Sequence, residues 1–404
     1  MSQPIMSQAS ESQQMAQNED FPANNAKSDN SKGSNFNIGR GELFKALSHA
    51  QSVVEKRGTI PILSNIKIDV IDGFIELTAT DMEIAVMDKV PADVGKTGSL
   101  TMPAHMLYDI VRRLPDDADI NFSEDKSAQK VNIKAGSAKF SLATLPVDEF
   151  PSIGGGILPN SFSITKEQCR ILVEKTRFAM SNEETRYYLN GVYLHESECD
   201  GVPVLRAVAT DGHRLSRVDV PLPDGAAGVG GSIIPRKTIG EIGKLLEDSI
   251  DKVHISVSDS KIRFVFGNTI LFSKLIDGNF PDYARVIPAN NEIILQVNAV
   301  ALAKAADRVS VVSSEKVRGV KLQIENNSIT VTTPTADQNQ GEEKIIAEYS
   351  AEPISIGFNC KYLTEVLAQV ESADVRFKLS NGGASLVLDP NDDSVLYVIM
   401  PMRV

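Results

Sequence analysis

Asp211, His213 and Arg214 fall within four consecutive residues of the string Ala209-Thr210-Asp211-Gly212-His213-Arg214-Leu215, and they are the residue types here best suited to acid-base chemistry. A histidine titrates near neutrality, and a neighbouring carboxylate can orient its ring. The usual companions of catalysis are missing, because the sequence offers this cluster no partnered nucleophile signature, no metal-ligand spacing and no phosphate cradle. Thr-Asp-Gly-His reads more simply as a turn in which Gly212 supplies a positive φ. Gly95-Lys96-Thr97 resembles the end of a phosphate-binding loop, but the required glycine five residues earlier is Val90, so a turn is expected there too. Gly228-Val229-Gly230-Gly231 has the wrong spacing for a dinucleotide loop and reads as a flexible connection. Cys169, Cys199 and Cys360 are odd in number with no C-x-x-C spacing, which points to reduced packing thiols. No metal site and no cofactor is expected.

The elements that must position these residues come next. At 404 residues, 42% of them hydrophobic, the chain is too long for one core, and two to four domains are expected. No window is apolar for the roughly 18 residues that a membrane span needs, and the N-terminus lacks the order of a secretory signal, so a cytoplasmic location is expected. The formal net charge is −12, opposite in sign to that of a tight nucleic-acid binder. Any contact with DNA is therefore weak or confined to one surface.

Residues 1–35 are rich in Gln, Ser and Asn without apolar periodicity and read as a disordered tail. From Phe36 onward short β-rich runs interrupted by two helical segments recur. Ala79-Thr80-Asp81 and Ala209-Thr210-Asp211 are 130 residues apart, as are Phe150-Pro151 and Phe280-Pro281. Pro103 and Pro235, 132 apart, each open a helix, where a missing N–H leaves nothing unsatisfied. A third copy shows in the helix from Cys360 to Val370 leading into Asp374-Val375-Arg376-Phe377. Three α+β domains are expected, 36–157, 158–289 and 290–404. Within them, charged arcs recur on the first helix of each repeat: Lys45, His49, Ser52 and Lys56, then Lys166, Arg170 and Arg177, then Lys304 and Arg308. One such arc is ordinarily just solvated. Three in succession on an acidic chain suggest one surface facing one polyanion.

The turn string, with Arg186-Tyr187-Tyr188-Leu189-Asn190-Gly191, Phe280-Pro281-Asp282-Tyr283 and the terminal Met400-Pro401-Met402-Arg403-Val404, closely resembles the bacterial DNA polymerase III beta subunit family, the replicative sliding clamps. The resemblance runs from Phe36 to Val404. It implies a non-catalytic processivity factor: a head-to-tail homodimer forming a six-domain ring, helices inside and sheets outside, encircling double-stranded DNA without regard to sequence. It also implies a pocket between the second and third domains for short peptides of the polymerase III alpha subunit, the clamp loader and other partners. Matched motif by motif, that pocket would use Leu189, Thr210, Gly212, His213, Arg214, Leu215, Pro281, Arg285, Val286, Asn359, Tyr362, Val398, Ile399, Met400, Pro401, Met402, Arg403 and Val404. The family often has a longer aliphatic residue than Val404, which bears on pocket depth. Arg57 and Arg112 match DNA-facing positions, while Arg177 and Lys304 rest on the helical arcs alone. Phe140 and Leu142, alternating with Ser141, match one side of the ring interface, and Val311 and Val312 the other. The competing readings are an enzyme built on Asp211, His213 and Arg214, and a scaffold with no DNA-encircling role.

Overall fold

The computed structural model describes residues 33–56, 59–152, 156–247, 251–313, 319–333 and 340–403. Three repeats follow one another, each reading strand, helix, three strands, strand, helix, three strands, with one additional short strand, Asp93–Lys96, in the first. Alternation makes the strands. In Asp119–Asp125, Ile120 and Phe122 point inward, and in Lys130–Ala135 it is Val131, Ile133 and Ala135. The six helices are α1 (Arg40–Val53), α2 (Ala104–Arg112), α3 (Lys166–Arg177), α4 (Arg236–Leu245), α5 (Ala299–Ser310) and α6 (Cys360–Leu367). Pro103 and Pro235 stand at the N-caps of α2 and α4, and Asn359 takes that place in α6. A capping box between Thr165 and Gln168 starts α3. No helix among the described residues is long and apolar enough to cross a membrane.

The helices pack in pairs, α1 on α2, α3 on α4 and α5 on α6, and bury their apolar faces against the sheets. The first repeat has its own core, where Phe36 stacks on Phe122 at 4.6 Å. The cores of the second and third are continuous. Ser34 and Asn35, counted with the tail in the sequence, already belong to the fold: Asn35 opens the first strand, and Ser34 is buried with its amide on the Glu124 carboxylate. Residues 1–32 of the expected tail lie outside the described residues. Gly95 and Lys96 form a strand rather than the expected turn, because Asn35–Gly39 pairs with them and the Asn35 side chain occupies the space beside Gly95.

The sheets run across the repeat borders. The last strand of the second repeat, Thr269–Lys274, pairs antiparallel with the fourth strand of the first, Ile84–Pro91. The last strand of the third, Asp392–Ile399, pairs in the same way with the fourth strand of the second, Arg214–Pro221. Polar contacts lock the first border: Lys237 reaches Asp81 and the Val53 carbonyl, Lys274 meets Glu83 at 3.0 Å, and Ser52 donates to Glu241 at 2.5 Å. Asp88 binds His49 at 3.1 Å and Thr269 at 2.5 Å. At the second border Lys175, nearly buried, donates to the Gln369 carbonyl and pairs with Glu371 at 2.7 Å.

Both borders contain the same turn. Thr80 Oγ1 donates to the Ile84 carbonyl at 2.7 Å and the Asp81 carboxylate accepts the amides of Glu83 and Ile84; Thr210, Asp211, His213 and Arg214 repeat every one of these bonds. The turn demands a left-handed residue, which is Gly212 (φ 86°) in one copy and Met82 (φ 79°) in the other. That conformation costs a non-glycine residue about 1 kcal/mol. Met82 is 48% exposed, so little packing would be lost with its side chain. Met82→Gly is expected to stabilise the chain by roughly 0.5 kcal/mol after the larger unfolded-state entropy of glycine, read as a small rise in melting temperature.

Candidate peptide-binding site

The Thr210–Arg214 turn is the hub of the seam between the second and third repeats. Arg214 is buried there, with Nε on Asp211 at 3.1 Å, Nη2 donating to the Phe178 carbonyl at 2.5 Å and Nη1 on Glu365 of α6. Its guanidinium also lies over two rings, Tyr362 at 4.6 Å and Phe178 at 5.1 Å. His213 is exposed and stacks on Tyr362, centroids 5.8 Å apart. Burial, with Asp211 nearby, pushes the Tyr362 hydroxyl above the usual phenol range, so it stays a neutral donor. Both Asp211 oxygens are engaged, one by the turn amides and one by Arg214. The proposed acid-base cluster is thus held as a structural turn.

The C-terminal segment completes the seam. The Met400 amide donates to the His213 carbonyl at 2.8 Å and the Met402 amide to the Gly357 carbonyl at 2.9 Å, so Met400-Pro401-Met402 bridges the two repeats. All three are half-buried, offering adaptable thioethers on either side of a rigid proline. Ile399 pairs with Arg214, and Leu215 with Val398. Leu215 and Val398 are buried with Leu386 and Leu396 under Phe280, Tyr283 and Ile287. Asn359 accepts the amides of Lys361 and Tyr362 and so fixes where Tyr362 projects. Leu189, buried, ends a 3-10 turn whose Arg186 would meet a Cβ added at Gly212 at 2.7 Å. Pro281, Arg285 and Val286 lie on an exposed segment, Arg285 paired with Asp282 at 2.7 Å, and Arg403 is exposed beyond Met402. Most of the matched positions meet at this seam; Pro281, Arg285, Val286 and Arg403 are exposed on the segments that flank it, and Val404 lies outside the described residues.

The family models for the DNA polymerase III beta subunit match this chain in order: its N-terminal domain over residues 34–154, its central domain over 163–282 and its C-terminal domain over 284–403. The chain belongs to the DNA polymerase III beta subunit family. The beta sliding clamp of Caulobacter vibrioides is 45% identical over 368 residues, covering 91% of this chain and 99% of the relative. That of Escherichia coli K12 is 34% identical over 374 residues with the same coverage. Among solved structures, the Bartonella birtlesii sliding clamp bound to griselimycin superposes with a TM-score of 0.89 at 43% identity, covering 92% of this chain and all of that one. The Caulobacter crescentus clamp superposes at 0.87 and 44% identity, again over 92% and 100%. The chain has the three-domain clamp fold and the function of a sliding clamp.

The remaining expected positions are scattered over the chain. Arg112 ends α2, exposed and 3.1 Å from Asp109; Arg177 ends α3 and Lys304 lies on α5, both exposed; Arg57 is outside the described residues. The charged arcs are partly spent on the protein itself. His49 and Ser52 serve the first border, Arg170 is clasped by Glu167 and Glu174, and Arg308 is held by Glu343. Of the interface pairs, Phe140 is 36% exposed and Val311 79%, with Val312 exposed as well, whereas Leu142 at 6% belongs to the core of the first domain.

Sequence reading missed the partners behind the seam. Arg206 and Asp219 stand directly opposite on adjacent strands and form a buried, two-pronged ion pair at 2.6 and 2.8 Å; an opposite charge 13 positions on across a hairpin was the available signal. His195 and Tyr283 join them, the imidazole Nε2 lying 2.9 Å from the phenol oxygen. Burial holds the His195 pKa below its usual value. Unfolded His195 takes up a proton as pH falls through about 6.5 while the folded form resists it, so stability is lost on acidification from that point down to the folded pKa. The expected result is a larger drop in melting temperature between pH 7 and 5.5 for the parent chain than for His195→Gln.

Proposed function

We propose that two copies of this clamp chain join head to tail into a six-domain ring around duplex DNA, with domain borders near residues 158 and 289, and that it catalyses no reaction of its own. Strand edges carry the reading. At both internal borders a domain's last strand pairs with the fourth strand of the domain before it. The corresponding strands at the ends of the series are Ala138–Ala143, the last of the first domain and an edge of its sheet, and Glu342–Glu348, the fourth of the third, whose side away from Ser328–Thr332 is paired only at Ala347 and Glu348, by Ile293–Asn298. One join between copies, made twice, would close the ring by the rule already used inside the chain. Apolar side chains at these ends support it, since Phe140 is exposed on one and Ile346 is 88% exposed on the other, with Val312 packed beside Gly341, just before that strand. A long exposed apolar strand edge is otherwise an aggregation liability.

Arg112, Arg177 and Lys304, with Arg57, would face the DNA. Few cationic contacts suit sliding, because each neutralised phosphate adds affinity through counterion release, and topology supplies the persistence. The seam between domains 2 and 3 would dock short peptides of the polymerase III alpha subunit, the clamp loader and other clamp-binding proteins, filling the space beside Met400, Met402 and Tyr362. The Bartonella relative binds griselimycin, and we assign that ligand to the same seam here. Such a protein works in the cytoplasm. The test is retention on nicked circular DNA after treatment with a clamp loader, followed by release once the DNA is linearised. Retention that survives linearisation, or a single-protomer mass at every concentration, would leave only a scaffold reading.

A further inference from the structure

Building on the peptide-docking reading of the seam, we propose that His195, Arg206 and Tyr283 are positioning residues for ligand binding: they hold the segment joining domains 2 and 3 in the shape that presents Pro281 and Val286 to the seam.

The segment Phe280–Ile287 contains one short 3-10 turn, Tyr283–Val286, with no buried residue. A stretch with so little burial takes its shape from a few anchors. Phe280 stacks face to face on Tyr193, centroids 4.8 Å apart and planes within 4°. The second anchor is polar and directional. His195 Nδ1 lies 2.6 Å from the Glu196 carbonyl, which can only accept, so Nδ1 carries the proton and Nε2 is left as an acceptor. The Tyr283 hydroxyl donates to that Nε2 at 2.9 Å, and its oxygen accepts from Arg206 Nη1 at 3.4 Å.

Arg206 is itself held in a built site. Asp219 grips Nε and Nη2, Ser197 Oγ accepts from Nη1 at 2.8 Å, and the Glu198 carbonyl accepts from Nη2 at 3.0 Å. Desolvating such a pair is expensive, and apolar residues of similar size are often no less stable. What the pair does supply here is a fixed donor aimed at one hydroxyl on the joining segment. The same segment covers Leu215 and Val398 in the floor of the seam, so a shift at Tyr283 moves both its rim and its cover.

Calorimetric titration of the full chain with griselimycin tests this. Tyr283→Phe keeps the ring and removes the hydroxyl, and is expected to weaken binding about five- to tenfold while faster amide exchange appears at residues 284–287. His195→Leu should weaken binding similarly, and His195→Gln, which retains an acceptor, should recover most of the loss. Tyr362→Ala serves as the reference for the seam itself. Parent affinity in Tyr283→Phe beside lost binding in Tyr362→Ala would overturn the positioning role alone, whereas unchanged affinity in Tyr362→Ala would overturn the seam as the binding site and this proposal with it.

Discussion

Arg214→Met is expected to abolish ligand binding at the seam and to cost the chain about 3 kcal/mol of stability. Removing one member of a buried ion pair strands its partners, and here these are Asp211, Glu365 and the Phe178 carbonyl. Glu365 is the more exposed of the two carboxylates and recovers water, which keeps the cost near the lower end of the range for a broken buried pair. For a unit the size of domains 2 and 3 together, that loss should appear as a fall of about 6–12 °C in melting temperature. Binding goes with it because the guanidinium lies over the Tyr362 ring and pins the turn that receives the Met400 amide. An Arg214→Met chain that melts like its parent would show that Asp211 alone holds the turn.

Phe140→Asp is expected to convert the two-copy ring into single protomers. A carboxylate placed between closing strands loses water without gaining a partner, at a cost of about 3 kcal/mol for each contact. A head-to-tail pair contains the contact twice, so about 6 kcal/mol, or roughly ten-thousandfold in dissociation constant, separates parent from variant. Sedimentation velocity reads this directly. Because Phe140 is partly exposed while Leu142 is in the core, Phe140→Asp should leave each protomer folded and Leu142→Asp should not. A Phe140→Asp chain that sediments as a dimer would place the contact elsewhere.

Much of the domain plan was legible because repetition is a property of residue order. The 130-residue offsets place Thr80-Asp81 and Thr210-Asp211 in turns with identical hydrogen bonds, which is the outcome expected when one supersecondary unit recurs. Helix starts were equally readable, since Pro103 and Pro235 report on backbone chemistry within one turn of themselves.

Side-chain duty was another matter. His49 and Arg170 occupy the helical positions that periodicity assigned to a cationic surface, yet one is bound to Asp88 on a strand at the first border and the other to glutamates on its own helix. Periodicity specifies an angle around an axis and carries no information about which neighbour stands at that angle. Leu142 and Phe140 share one strand face yet differ in burial, a distinction that alternation cannot express. Ile346 drew no attention in the chain, where it stands in a short apolar run between charges; it matters only once the structure leaves its side chain 88% exposed on a strand that one neighbour pairs at Ala347 and Glu348 alone. Residue order thus decided the three domains, their helices and the turn around Asp211, all of which depend on near neighbours. The closing of the sheets across borders decided the rest, by bringing Arg214 to Glu365 over 151 positions and leaving Ala138–Ala143 at a sheet edge.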